Sequence, residues 1–365
     1  MPRKVRQLSA VLVASVALAA LAFLIPRPEK DPPKSDGLRW FDRQVFVFHG
    51  IPARTFFALP DDTESEARAQ QIFAEIQKIY DQTDRIFNAF SPDSELGKIN
   101  ALNAAGKVSV SSELSEVIEI AKEIWSNGEG AFDPTVWPLK KLWSMAEKRQ
   151  SPPSEDEIKA ALLLIGMDKI RFSKETRELE LRAPGQSLDF GGLAKGWVVD
   201  RTADLLKNLG ISNGLVICGG EIRSFGHNPD SKPWNIGVQH PLKEGELSGT
   251  IMVSSEISLS TSGNYRQPIQ IGEVTYYHIF NPKTGKPIAT DVLGVTVLLT
   301  QGVMPNSHAD AWTKVLAVLG PEKGLAIAKK NGFDALFLMK SLQEGAEPEA
   351  IMTDGFRRVY TPSGI

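Results

Sequence analysis

The chain has 365 residues, 42% hydrophobic and 23% charged, enough for a sizeable core in one large or two small domains. A net charge of −3 supplies no basic face and argues against nucleic acid as a partner. Cys218 is the only cysteine, which excludes an intramolecular disulfide and a thiolate metal cluster; in its apolar setting it reads as a small core residue.

Arg3, Lys4 and Arg6 precede an uncharged, mostly apolar run over residues 8–25. A basic flank before such a run marks a secretory signal or a membrane anchor, and residues 1–25 fit either. Ala20-Leu21-Ala22 resembles a small-residue cleavage site, while the run also approaches the length of a spanning helix. Positive charge on the short side predicts export of the rest, with membrane contact through residues 8–25 if the segment is kept. Residues 26–44, proline-rich at the start, read as a linker, residues 45–345 as the folded domain and residues 346–365 as a C-terminal tail.

In chain order, residues 45–59 read as strand, turn, strand, and residues 64–87 as a helix with Ile72, Phe73, Ile76, Ile79, Tyr80 and Ile86 on its apolar face. Ser94 is placed to cap a short helix; residues 112–127 form another, closed by Asn127-Gly128. Pro134 pushes Asp133 out of helical geometry and predicts a turn. Residues 154–165 read as a helix capped by Ser154, then short strands at 170–172 and 178–181. Strands are expected at 214–217, 234–239, 249–259, 274–279, 293–299 and, last, 335–339, with helices at 309–319 and 323–330. Mixed strands and helices without regular β-α-β spacing predict an α+β fold.

The richest stretch is residues 187–200, S-L-D-F-G-G-L-A-K-G-W-V-V-D, leading into an amphipathic helix to about Gly210. Glycines at a helix start let backbone N–H groups face a ligand, the helix N-terminus favours phosphate, and Lys195 adds a full charge beside Asp189. A diphosphate-handling turn and a plain tight strand-to-helix turn both fit. The spacing is neither that of a Walker A loop nor that of a dinucleotide fingerprint.

These signals come in a definite order. Phe90-Ser91-Pro92-Asp93-Ser94 is followed by Ala131-Phe132-Asp133-Pro134, the 189–200 stretch, Gly219-Gly220-Glu221 and Thr261-Ser262-Gly263-Asn264-Tyr265. Then come His278-Ile279-Phe280-Asn281-Pro282-Lys283-Thr284-Gly285 and Ala309-Asp310-Ala311-Trp312. Over roughly residues 45–340 this series resembles the ApbE family, the FAD:protein FMN transferases.

The resemblance implies largely antiparallel sheets with packed helices, and an exported, periplasmic enzyme. It would use Mg2+ and FAD, attach FMN through a phosphoester to a Thr or Ser of an acceptor flavoprotein, and release AMP. A Mg2+-dependent FAD pyrophosphatase and a non-catalytic FAD-binding assembly factor are the alternatives. Carried over residue by residue, Phe90, Ala131, Phe132, Asp133, Asp189, Lys195 and Phe280 would contact FAD. Asp310, the carbonyl of Gly192 and Thr313 would hold Mg2+, and His278 and Asp310 would be catalytic. His278 could take the proton of the attacking hydroxyl, or orient its loop by hydrogen bonds.

The chain departs from the family pattern at three places. Phe90 stands where Tyr is usual, and Ile51-Pro52-Ala53 where Met-Gly-Thr is common. Lys314 stands where the family has an oxygen ligand, and an ammonium can only donate. Four readings of Lys314 follow: water completes the Mg2+ shell, the lysine replaces part of the metal charge, catalysis is lost while FAD binding remains, or Lys314 simply lies on a solvated helix face.

Overall fold

The computed structural model describes residues 37–48, 50–263, 269–343 and 345–363. The signal or anchor expected at 1–25, His49, Asn264 and Tyr265 lie outside the described residues. Among the described residues, no helix is long and apolar enough to cross a membrane.

The organising element is an eight-stranded sheet. Its strands are β1 (Leu38–Val47), β2 (Ile51–Pro60), β3 (Gly214–Cys218), β4 (Glu221–Phe225), β5 (Ile257–Gly263), β6 (Val292–Leu299), β7 (Asp334–Met339) and β8 (Glu349–Met352). They lie side by side in chain order and every pairing is antiparallel. The α+β expectation holds.

Alternation along the strands sorts side chains to two faces. Ala53, Phe57, Val216, Cys218, Val295, Val297 and Phe337 point to one face, covered by helices. These are α1 (Ser65–Phe87), α2 (Glu95–Ala101), α3 (Ser112–Asn127), α6 (Ala194–Asn208) and α7 (Pro305–Asn331), while α4 (Trp137–Arg149) and α5 (Glu155–Leu163) lie apart from it. Phe56, Leu215, Ile217, Ile222, Leu259, Leu298 and Leu336 point to the other face, onto a small sheet of Trp234–Gln239, Leu247–Val253 and Tyr360–Pro362. Helices α4 and α5 enclose a separate apolar cluster with Ile271 and Phe280.

The helix starts follow the sequence signals. Ser94 Oγ accepts from Gly97 N, and Ser154 and Glu157 form a reciprocal capping box. The two helices expected at 309–319 and 323–330 meet at Gly320, whose φ of 76° and ψ of 176° break the helix ahead of Pro321.

Several features differ from expectation, among them the strand expected at 274–279, which ends at Tyr276. The strand start lies at Leu38, inside the stretch read as linker: Trp40 stacks on Phe56 and Phe41 on Phe57, which the charges of Arg39, Asp42 and Arg43 mask in the sequence. The stretch read as a tail is folded: β8 pairs with β7, Phe356 is fully buried, and Tyr360 Oη donates to Ser248 O at 2.7 Å. The single strand expected at 249–259 is two, belonging to different sheets. Helix α4 and strand β4 are additional.

Helices α6 and α7 are locked together by buried polar groups. Gly196 allows the approach, because a Cβ there would stand 2.3 Å from Asn306 O. Asp200 on α6 accepts from Asn306 N at 3.0 Å, Ser307 N at 2.8 Å and Ser307 Oγ at 2.9 Å, satisfying the first turn of α7. Arg223 of β4 donates to Asp200 at 3.2 Å and to Asp204 at 2.9 Å. Asn306 Nδ2 donates to Ile222 O at 2.7 Å and to Leu259 O, pinning α7 to the sheet.

Asp200→Ala should therefore cost about 2–4 kcal/mol of unfolding free energy, since it leaves two buried N–H groups unsatisfied and takes one of the three acids from Arg223. Urea titration of the variant reads this directly, and a loss under about 1 kcal/mol would contradict the locking role.

Candidate active site

The 187–200 stretch folds as a loop entering α6, and the residues it carries converge with the first half of α7. Asp310 is fully buried on α7, pointing at α6. Its Oδ2 lies 3.1 Å from Lys195 Nζ and accepts from Gly196 N at 3.3 Å. Its Oδ1 accepts from Lys314 Nζ, which also reaches Asp310 O at 3.0 Å. Two ammonium groups thus share one carboxylate.

A second acid stands behind them. Glu221 opens β4 with its side chain 1% exposed, and its Oε1 lies 3.6 Å from Lys195 Nζ. Gly220 N and Ser260 Oγ donate to Glu221. The two acids are enclosed, whereas the lysine side chains keep 18% and 16% exposure. The cluster therefore offers its cations to solvent and hides its anions.

The pKa shifts follow from this arrangement. Burial alone would raise the Asp310 carboxyl, but Lys195 and then Lys314 outweigh it and hold it below the usual carboxylate range. Burial would lower the Lys195 ammonium, but Asp310 and Glu221 push it above its ordinary value. Burial, joined by repulsion from Lys195, leaves Lys314 below its ordinary value despite Asp310.

Gly192 lies beside the cluster. A Cβ there would meet Phe132 Cε2 at 3.1 Å and Lys314 Cε at 3.4 Å, so the lysine stem runs past Gly192 to Asp310. Thr313 Oγ1 gives its proton to Asp310 O at 2.6 Å and, its one donor spent, accepts from Ser262 Oγ at 2.7 Å. Gly192, Lys195, Asp310 and Thr313 are thus brought together as the sequence suggested, and Phe132 joins them.

The expected Mg2+ site meets a donor set that does not suit it. A hard divalent cation takes carboxylate, carbonyl and water oxygens. Here the one carboxylate of the trio Asp310, Thr313 and Gly192 is capped by two ammonium groups, and Lys314 fills the way from Gly192 to Asp310. Among the described residues, no group of three or more His, Cys, Asp or Glu gathers as a metal site. These residues as arranged do not fit Mg2+.

The other expected site residues fall in different places. Asp189 is buried; its Oδ1 accepts from Gly191 N at 2.8 Å and its Oδ2 pairs with Lys140 of α4. Burial would raise its carboxyl, but Lys140 overrides that and holds it below its ordinary value. Asp133 turns inward, accepting from Thr135 N at 2.8 Å, Thr135 Oγ1 at 2.5 Å and Met167 N at 3.1 Å, and burial pushes its carboxyl up. Its side chain organises the turn, and Ala131 is buried next to it.

Phe90 is 81% exposed, its ring set edge-on to Trp137 at 4.8 Å. Phe280 packs into the α4–α5 cluster beside Trp143, away from solvent. His278 is half-buried just ahead of it. A cavity of about 380 Å³ opens between the 131–134 turn and the Pro282-Lys283 turn, lined also by Trp125, Glu129 and Gly166.

Lys140 and Glu221 were not singled out as site residues. Lys140 sits on α4, and Glu221 is the first residue of β4, two elements without a clear local signal in the sequence.

Buried acids paired with two partly exposed lysines, at a glycine-rich helix start on an antiparallel α+β scaffold, suit a phosphorylated ligand. The chain belongs to the ApbE family, whose model matches residues 55–337. It is 31% identical to the FAD:protein FMN transferase of Vibrio cholerae over 75% of this chain and 81% of that protein. With the FAD:protein FMN transferase of Chlamydia pneumoniae the identity is 32%, over 77% and 87%. The solved structure of the flavin transferase ApbE from Vibrio cholerae superposes with a TM-score of 0.74 at 27% identity, covering 88% of this chain and 99% of that one.

A carboxyl whose folded pKa is depressed adds stability above its unfolded value and loses it as pH falls through the folded value. Lys140→Met should therefore destabilise the protein most at neutral pH, with the gap to the native chain closing below about pH 4. Unfolding curves across that range test it; a gap independent of pH would show that Asp189 does not depend on Lys140.

Proposed function

We propose that this chain is an FAD:protein FMN transferase that moves FMN from FAD to a threonine or serine hydroxyl of an acceptor flavoprotein. The observation that carries this is the convergence of Gly191-Gly192, Lys195 and Lys314 around Asp310, cations outward, in a chain of the ApbE family.

FAD offers a diphosphate, a negative group that this cluster suits. The acceptor oxygen attacks the phosphorus on the flavin side, forming a phosphoester bond. The bond from that phosphorus to the bridging oxygen breaks, and AMP leaves with the electron pair. Lys195 and Lys314 offset the charge that builds on the phosphate oxygens, and Asp310 fixes where the two ammonium groups stand. His278 is the candidate to take the acceptor hydroxyl's proton. Phe90 offers an exposed ring face for the flavin or adenine, whereas Phe132 is buried in the core against Gly192. The basic flank and apolar run over residues 3–25 support a role outside the cytoplasm, on exported acceptors.

Mass spectrometry of a flavoprotein acceptor, incubated with the full chain, FAD and MgCl2, tests the reading. The acceptor should gain FMN less one water, with AMP released in equal amount. AMP formed without the acceptor would mean hydrolysis instead, and intact FAD throughout would overturn the proposal. Asp310→Ala should slow transfer by at least about 100-fold, the scale of losing preorganised electrostatic stabilisation; unaltered turnover in a folded variant would remove Asp310 from the machinery.

A further inference from the structure

Resting on the FMN transferase reading, we infer that the Lys195–Lys314 ammonium pair takes the place of a divalent cation in this chain, so that FAD is bound and its diphosphate cleaved without metal. The pair has the geometry for it. Both Nζ atoms lie on the Asp310 carboxylate, Lys195 spanning Oδ1 at 3.3 Å and Oδ2 at 3.1 Å and Lys314 on Oδ1, so one carboxylate holds the two ammonium groups side by side. Lys195 Nζ is held by Gly191 O at 3.1 Å and Lys314 Nζ by Asp310 O at 3.0 Å, so neither position depends on a ligand.

Charge distribution supports the same conclusion. The four charges of the cluster cancel in sum, but Asp310 and Glu221 are enclosed while both lysine side chains keep partial exposure, so an incoming diphosphate meets the cations before the acids. A divalent cation seeking Asp310 would have to displace an ammonium group from each carboxylate oxygen and move the Lys314 stem off Gly192. Such a cation would also be repelled by the two lysines at contact distance. The lysines balance the transfer step: the leaving oxygen of AMP departs with its electron pair beside a donor ammonium, and no oxidant, reductant or further reactant is needed.

The test measures FAD binding to the full chain by flavin fluorescence, with EDTA and with MgCl2, alongside calorimetric titration of MgCl2 alone. The native protein should bind FAD equally in both media and give no heat with MgCl2. Lys314→Thr should weaken FAD binding in EDTA by about tenfold, the scale of one charge-assisted hydrogen bond, and MgCl2 should restore it. Lys314→Met, which keeps the stem and removes the charge, should show the same loss without restoration.

Native binding that collapses in EDTA and returns with MgCl2 would overturn the inference and leave the transferase reading intact. So would a full set of native properties in a folded Lys314→Met. A native chain that binds no FAD in either medium would overturn both.

Discussion

The carboxylate of Asp310, held between Lys195 of α6 and Lys314 of its own helix, is the interaction on which the site depends. A fully buried acid is costly unless paired, and the local structure shows what was arranged to pair it. Gly196 brings the helices close enough for Lys195 to reach across. Asp200, four residues on from Gly196, seals the start of α7 and so fixes the rotation of Asp310 toward α6. Asn306 then ties that helix start to β4 and β5, whose ends carry Glu221 and Ser262. The charge cluster, the helix contact and the sheet register are one assembly.

Two buried acids at the α6–α7 contact have opposite uses, and their partners show why. Asp200 accepts from two backbone N–H groups, a serine and a nearly enclosed arginine, which itself is engaged by Asp204 and Glu256. Every lone pair there is spent inward, and burial pushes the carboxyl up to about 6 even beside Arg223. Asp310 instead meets two lysines whose stems reach to solvent and whose ammonium groups retain unspent protons. A planar guanidinium bound on several sides suits a fixed joint, and a compact ammonium at a cleft suits a changing partner. Burial alone would not separate the structural acid from the functional one; the exposure of the partner does.

Most of the scaffold was legible because its signals are local. The capping residues Ser94 and Ser154, the Gly320-Pro321 break and the apolar spacing of α1 each act over one or two turns of chain. What was illegible is what depends on distant partners. β1 looks polar until Trp40 and Phe41 find Phe56 and Phe57 in β2. Residues 346–365 look like a tail until Phe356 and Tyr360 close the second apolar cluster. In the site, Asp189, Lys195 and Asp310 stood out by residue type, but their partners Lys140 and Glu221 did not, since an ion pair between helices or strands far apart in the chain leaves no spacing to read. Asp133 and Phe280 carry motif signatures, and their side chains are spent on a turn and on a core.

That last pair shows how a motif can serve a site without its side chains entering it. Asp133 binds Thr135 and Met167, which sets the turn so that Phe132 lies against Gly192 on one side and the cavity opens on the other. Phe280, anchored beside Trp143, holds the start of the turn that brings Pro282 and Lys283 to the opposite wall of that cavity. The charge cluster and the cavity therefore share one rigid turn. Asp133 and Phe280 help to set where the two stand without themselves joining the charge cluster.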